Sequence, residues 1–125
     1  MNGDYMDTSE QYIDMCEKAI GVQQLCVEYG KNYNWYKSLF LTKQHHVYES
    51  WYQYKHGENI WIPRQDQLQD ILGDYNICMQ LIYGSVEYSD YPNATNFTTM
   101  EQLWLAIVMK TKFDKRWSGT KWISE

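Results

Sequence analysis

The chain reads as an α+β domain, a small antiparallel sheet packed by about three to four helices, and three observations say so. Apolar residues recur at helical spacing towards both ends of the chain. The middle, from Tyr33 to Trp61, switches to aromatic and β-branched residues. Glycine and proline sit where these patterns change, at Gly30, Pro63 and Gly73. The 125 residues suit one compact domain, 1–125, and 44% apolar with 22% charged side chains is a globular composition.

The first helix is expected from about Ser9 to Tyr29. Thr8 would cap it, Gln11 would close a capping box, and Gly30 would stop it. Its apolar stripe (Ile13, Cys16, Ala19, Ile20, Val27) is broad, as packing against a sheet requires, and Gly21 in its middle implies a close neighbour. Two strands follow, within Trp35 to Leu41 and Val47 to Tyr54, with Thr42-Lys43-Gln44 as the turn between them. Ile60-Trp61-Ile62 supplies a third. Pro63 then opens a second helix that runs to Gly73, with Leu68, Ile71 and Leu72 as a narrow buried stripe. Residues 74–83 fit a helix better than a strand, and Gly84 to Phe97 is a polar loop. Thr98 and Glu101 cap the most hydrophobic stretch, through Leu103, Trp104, Ala106, Ile107, Val108 and Phe113, which is the expected core helix. Trp117 and Trp122 flank Ser118-Gly119-Thr120-Lys121 and predict a closing hairpin.

Charge and cysteines narrow the function. Eleven basic and 16 acidic residues give a net charge of −5, so direct nucleic-acid binding is not expected and a partner with a basic surface is. The only basic cluster, Lys110, Lys112, Lys115 and Arg116, ends the core helix and complements its dipole. Cys16, Cys26 and Cys78 form no close pair and no C-x-x-C, which disfavours a disulfide framework or a zinc site. His45 and His46, as neighbours on a strand, would point to opposite faces, and His56 falls in a turn, so no metal or cofactor is expected. The carboxylate pairs Glu10 with Asp14 and Asp66 with Asp70 are ordinary exposed helix spacing. No phosphate loop or dinucleotide fingerprint is present, and no catalytic residues are assigned. The opening residues lack a cationic region and an apolar run, so neither a signal peptide nor a membrane span is expected and the location reads as cytoplasmic.

Twenty-one aromatic residues, twelve of them Tyr, are about twice what a core of this size needs. The surplus suggests a recognition surface, with Tyr48, Glu49, Trp51, Tyr52 and Tyr54 as the expected partner contacts. The competing reading packs those rings against the helices. An alternative ligand site would stack a nucleotide on Trp61 and place its phosphates near Arg64 and Gln65, at the start of the second helix.

Two stretches resemble a family of small uncharacterised phage and prophage proteins. They are Ile60-Trp61-Ile62-Pro63-Arg64-Gln65-Asp66-Gln67-Leu68-Gln69, and Glu101 to Met109 running on to Lys115-Arg116-Trp117-Ser118-Gly119-Thr120-Lys121-Trp122. Ser9 to Ala19 is similar to that family's opening. Together these cover about half of the chain, and what they imply is a phage or prophage gene with no activity attached. The resulting expectation is a non-catalytic inhibitor that binds and blocks a bacterial defence protein, in the manner of an anti-CRISPR, inside the host cell. The alternatives are a nucleotide-binding protein that sequesters a defence signal and a structural or assembly accessory of the virion. A homo-oligomeric state stays open.

Overall fold

A computed structural model of the protein describes residues 7–32, 39–42, 47–49, 59–73 and 99–124. Over these the chain is α+β. Its elements are α1 (Glu10–Lys18), α2 (Ile20–Asn32), β1 (Leu39–Thr42), β2 (Val47–Glu49), β3 (Asn59–Ile62), α3 (Gln65–Leu72), α4 (Met100–Phe113), β4 (Lys115–Trp117) and β5 (Trp122–Ser124). The first three strands form an antiparallel sheet in the order β2-β1-β3, and β4 with β5 makes a separate hairpin.

The expected first helix is in fact two. Ala19 leaves helical geometry at φ −83° and ψ 71°, and its N–H bonds the Cys16 carbonyl at 3.1 Å in place of the Met15 carbonyl. That break frees backbone acceptors, and tertiary contacts take them up. Trp122 Nε1 donates to the Met15 carbonyl at 3.0 Å, and Gln23 Nε2 donates to the Cys16 carbonyl at 3.0 Å. Periodicity cannot reveal such a break, because the apolar stripe continues through it; the partners lie 107 and 7 residues away in sequence. Ser9, not Thr8, is the N-cap, its Oγ accepting from Tyr12 N–H, and α2 runs past Gly30 to Asn32.

Gly21 is required by a close approach. A Cβ there would lie 2.5 Å from Phe113 Cε1, so the last turn of α4 rests on the α2 backbone. Around this contact a core assembles from Tyr12, Met15, Val22, Phe40, Trp61, Ile62, Leu68 and the buried run from Leu103 to Met109. Burial at eight successive positions, Gln102 to Met109, makes α4 the central helix, enclosed on all sides as its composition predicts. Thr99 is its N-cap, one residue later than expected.

Two further boundaries differ from expectation. Arg64 is the N-cap of α3 and Gln65 its first residue, so Pro63 stands just outside the helix. There its carbonyl accepts from the buried Tyr12 hydroxyl at 2.6 Å, tying α1 to the β3–α3 corner. Gly73 ends α3 at φ 100°, a left-handed conformation that favours glycine. Thr42 belongs to β1 and not to the following turn. The expected strand residues 35–38 and 50–54, residues 74–83 and the loop 84–97 lie outside the described residues.

A buried carboxylate closes the N-terminal side. Asp7, 8% exposed, accepts from Ser9 N–H (2.8 Å), Thr99 Oγ1 (2.5 Å) and Gln102 Nε2 (2.9 Å), so one carboxylate joins the starts of α1 and α4. Both helix N-termini present positive dipole ends to it. Burial raises its pKa, but the hydrogen bonds from Ser9, Thr99 and Gln102 outweigh that and hold the carboxyl below the usual carboxylate value.

Candidate functional site

The three-stranded sheet has two outer strands, and the hydrogen-bond ladder determines what each offers. On the β3 side, Trp61 N–H donates to Gln23 Oε1 at 2.8 Å, and the Trp61 carbonyl accepts from Gln23 Nε2 at 2.9 Å. The Gln23 amide therefore pairs with Trp61 as a neighbouring strand residue would. The backbone groups of Trp61 consequently face away from β1, which makes Phe40–Trp61 the non-hydrogen-bonded pair of the β1–β3 ladder.

The alternation then propagates. Phe40 directs its N–H and carbonyl towards β2, where its partner is Tyr48. Val47 and Glu49, on either side of Tyr48, direct theirs away from β1. Among the described strands β2 is outermost on that side, and no described residue pairs with those outward groups. An outer strand with outward N–H and carbonyl groups is a template for a further strand.

Tyr48 and Glu49 are two of the five expected partner contacts, and both lie on β2. Trp51, Tyr52 and Tyr54 fall outside the described residues. Seven aromatic rings have a described burial, and none of them is among the expected partner contacts. Tyr12, Phe40, Trp61, Trp104 and Trp117 are buried, and Phe113 and Trp122 are half-buried. These rings fill a core wrapped around a fully enclosed helix.

The alternative ligand site loses its stacking platform. Trp61 is 1% exposed, packed opposite Phe40, because β3 is held between β1 and the α1–α2 pair. Arg64 is pinned at the surface by its own helix: Nε donates to Asp66 Oδ1 at 2.9 Å, and its N–H donates to Gln67 Oε1. Gln65 is half-buried in the first turn of α3. The three residues do not share an accessible pocket wall.

Burial pushes the Cys16 thiol well above its usual value, opposed only in part by a hydrogen bond with Tyr12, and burial likewise raises Cys26. Both are held as thiols at neutral pH, the unreactive form. Cys78, His45, His46 and His56 lie outside the described residues. Among the described residues no group of three or more His, Cys, Asp or Glu side chains converges, and no helix is long and apolar enough to cross a membrane.

Sequence reasoning missed Gln23 and Asp7, the two polar side chains that organise the backbone. Asp7 had a local signal, an acidic residue two positions before a serine N-cap. Gln23 had none, because its partners are backbone groups of a strand 38 residues away. No family model, curated protein or solved structure matches the chain.

Proposed function

We propose that the chain is a phage-encoded, non-catalytic inhibitor that binds and blocks a bacterial defence protein, docking through the outer side of β2. The observation that carries this reading is the pair of outward-facing backbone positions, Val47 and Glu49, on the outermost described strand. A partner strand laid there would gain main-chain hydrogen bonds. Tyr48 and the nearby Trp51, Tyr52 and Tyr54 would supply the aromatic anchors that commonly dominate an interface.

Net charge favours one class of target. At −5 the chain is steered towards basic surfaces, and enzymes that handle nucleic acid expose basic grooves. A CRISPR nuclease in the host cytoplasm fits that chemistry, which makes the activity anti-CRISPR-like. The resemblance of the Ile60–Gln69 and Glu101–Trp122 stretches to phage and prophage proteins supports the origin. The test is affinity capture from a bacterial lysate, followed by assay of the recovered enzyme with and without the purified chain. A stoichiometric block of activity that weakens with salt is the expected result. The Trp51→Ala, Tyr54→Ala double variant should stay folded and lose the partner. If it folds and binds unchanged, the docking surface is not here.

A further inference from the structure

The net charge conceals a strong polarity. Residues 110–125 carry five basic side chains and two acidic, a local charge of +3, whereas the rest of the chain carries six basic and fourteen acidic, or −8. Lys18, at the end of α1, donates to the Thr120 carbonyl at 2.7 Å and stands 6.0 Å from the centroid of the Trp117 ring, with its own charge balanced by the Asp14 carboxylate at 3.1 Å.

Lys112, Lys115 and Lys121 make no hydrogen bond or ion pair through their side chains among the described residues, in a chain with 16 carboxylates. Lys112 and Lys121 are exposed, and Lys115 is half-buried. The hairpin tip between the strands, Ser118-Gly119-Thr120-Lys121, is wholly exposed. Its Ser118 N–H bonds the Lys121 carbonyl at 2.8 Å, and Gly119 takes φ 108° to complete the turn. The Ser118 hydroxyl accepts from the Thr120 and Lys121 N–H groups within the turn, so the lysines are the groups left to contact phosphate oxygens, as lysines do in nucleic-acid complexes.

We propose that this end, the last turn of α4 with the β4–β5 hairpin, binds the phosphate backbone of a nucleic acid. An acidic protein is the other polyanion it could meet, but protein interfaces are built around accessible apolar anchors. This hairpin offers none: Trp117 is 5% exposed, and Trp122 and Ile123 are half-buried. The same burial withholds the rings from base stacking, so recognition is of the backbone and independent of sequence. The net charge argues against such a ligand for the chain as a whole; the distribution assigns it to this one end. A two-stranded ribbon is also of a size that a major groove admits.

The test is fluorescence anisotropy of a labelled duplex of about 20 base pairs with the full chain, from about 20 to 200 mM salt. Binding should appear at low salt and weaken with a logarithmic slope of about −3, as three or four neutralised phosphates require. Lys112→Glu with Lys121→Glu should lower affinity at least about tenfold and reduce the slope by about 2, while Arg64→Gln changes neither. Unlabelled duplex should displace the probe, and polyglutamate should not. Should charge reversal lower the melting temperature, the Lys112→Gln, Lys121→Gln pair carries the comparison, with a smaller loss of affinity. The proposal is overturned if the parent shows no binding at the lowest salt, if the lysine variants bind as the parent does, or if polyglutamate competes as well as DNA.

Discussion

The two outer strands of the sheet meet the same physical problem and solve it differently. Each carries N–H and carbonyl groups on the side away from β1. On β3 the Gln23 amide supplies a donor and an acceptor to one residue, Trp61, and the same Nε2 also reaches the Cys16 carbonyl. One side chain thus closes a strand edge and a helix break together. On β2 the corresponding groups, of Val47 and Glu49, point outward with no partner among the described residues. Closing an edge takes a side chain of the right length on a packed helix, and among the described residues α2 provides one on the β3 side. The difference marks β3 as interior architecture and β2 as the strand that the proposed docking would use.

The closed side should be the costlier to disturb. Trp61→Ala removes a ring that is 1% exposed and opposes Phe40, so a loss of about 3–5 kcal/mol is expected in chemical denaturation. Gln23→Leu comes next. It fills much the same volume but strands the Trp61 N–H, the Trp61 carbonyl and the Cys16 carbonyl without their amide, at a cost of about 2–4 kcal/mol. A Gln23→Leu variant as stable as the parent would mean that water satisfies this edge as well as the amide does, and the contrast with β2 would vanish.

What was legible in the sequence follows from the range of the interactions involved. The α4 helix announced itself through composition, since burial on all sides demands an uninterrupted apolar run from Leu103 to Met109. The hairpin, the Gly73 stop and the close contact at Gly21 were equally readable, because turn geometry and close packing select particular residues locally. The break at Ala19 was not. It is stabilised by Trp122 and Gln23 acting on freed carbonyls, contacts that no local pattern encodes. Trp61 was misread as a ligand platform for a related reason: an aromatic residue looks alike in sequence whether its strand faces water or helices. Tyr48 and Glu49 were placed on a strand correctly, but which backbone groups face outward follows only from the ladder, through Gln23.

The Asp7 clamp tests how firmly α1 backs the closed side. Its folded pKa lies below its unfolded value, so its contribution is fully present above the unfolded pKa and is lost as pH falls through the folded one. Asp7→Asn keeps one acceptor and removes the charge shared by Ser9, Thr99 and Gln102, for a loss of about 1–2 kcal/mol at neutral pH. Denaturation midpoints from about pH 6 to 2 should then fall less in the variant than in the parent, because part of the acid-sensitive term is already gone. Curves that stay parallel over that window would show that the carboxylate does not anchor α1.

The smallest effect on stability should come from β2, and adjacent residues supply an internal control. Tyr48 directs its N–H to Phe40, whereas Glu49 directs its N–H outward. Proline removes the N–H in either place. At position 48 it deletes a ladder bond in the sheet and should cost about 3 kcal/mol. At position 49 it removes a group that faces away from the sheet, a setting in which outer strands tolerate proline, and the loss should be about 1 kcal/mol or less. The two variants need only thermal melts for the first comparison. The second uses the partner recovered by capture: Glu49→Pro should fold yet bind it more weakly, since strand addition depends on that N–H. Equal destabilisation by the two prolines would mean that the outer side of β2 is already paired within the folded chain. The two edges of the sheet would then both be closed, and docking by strand addition would have no strand to use.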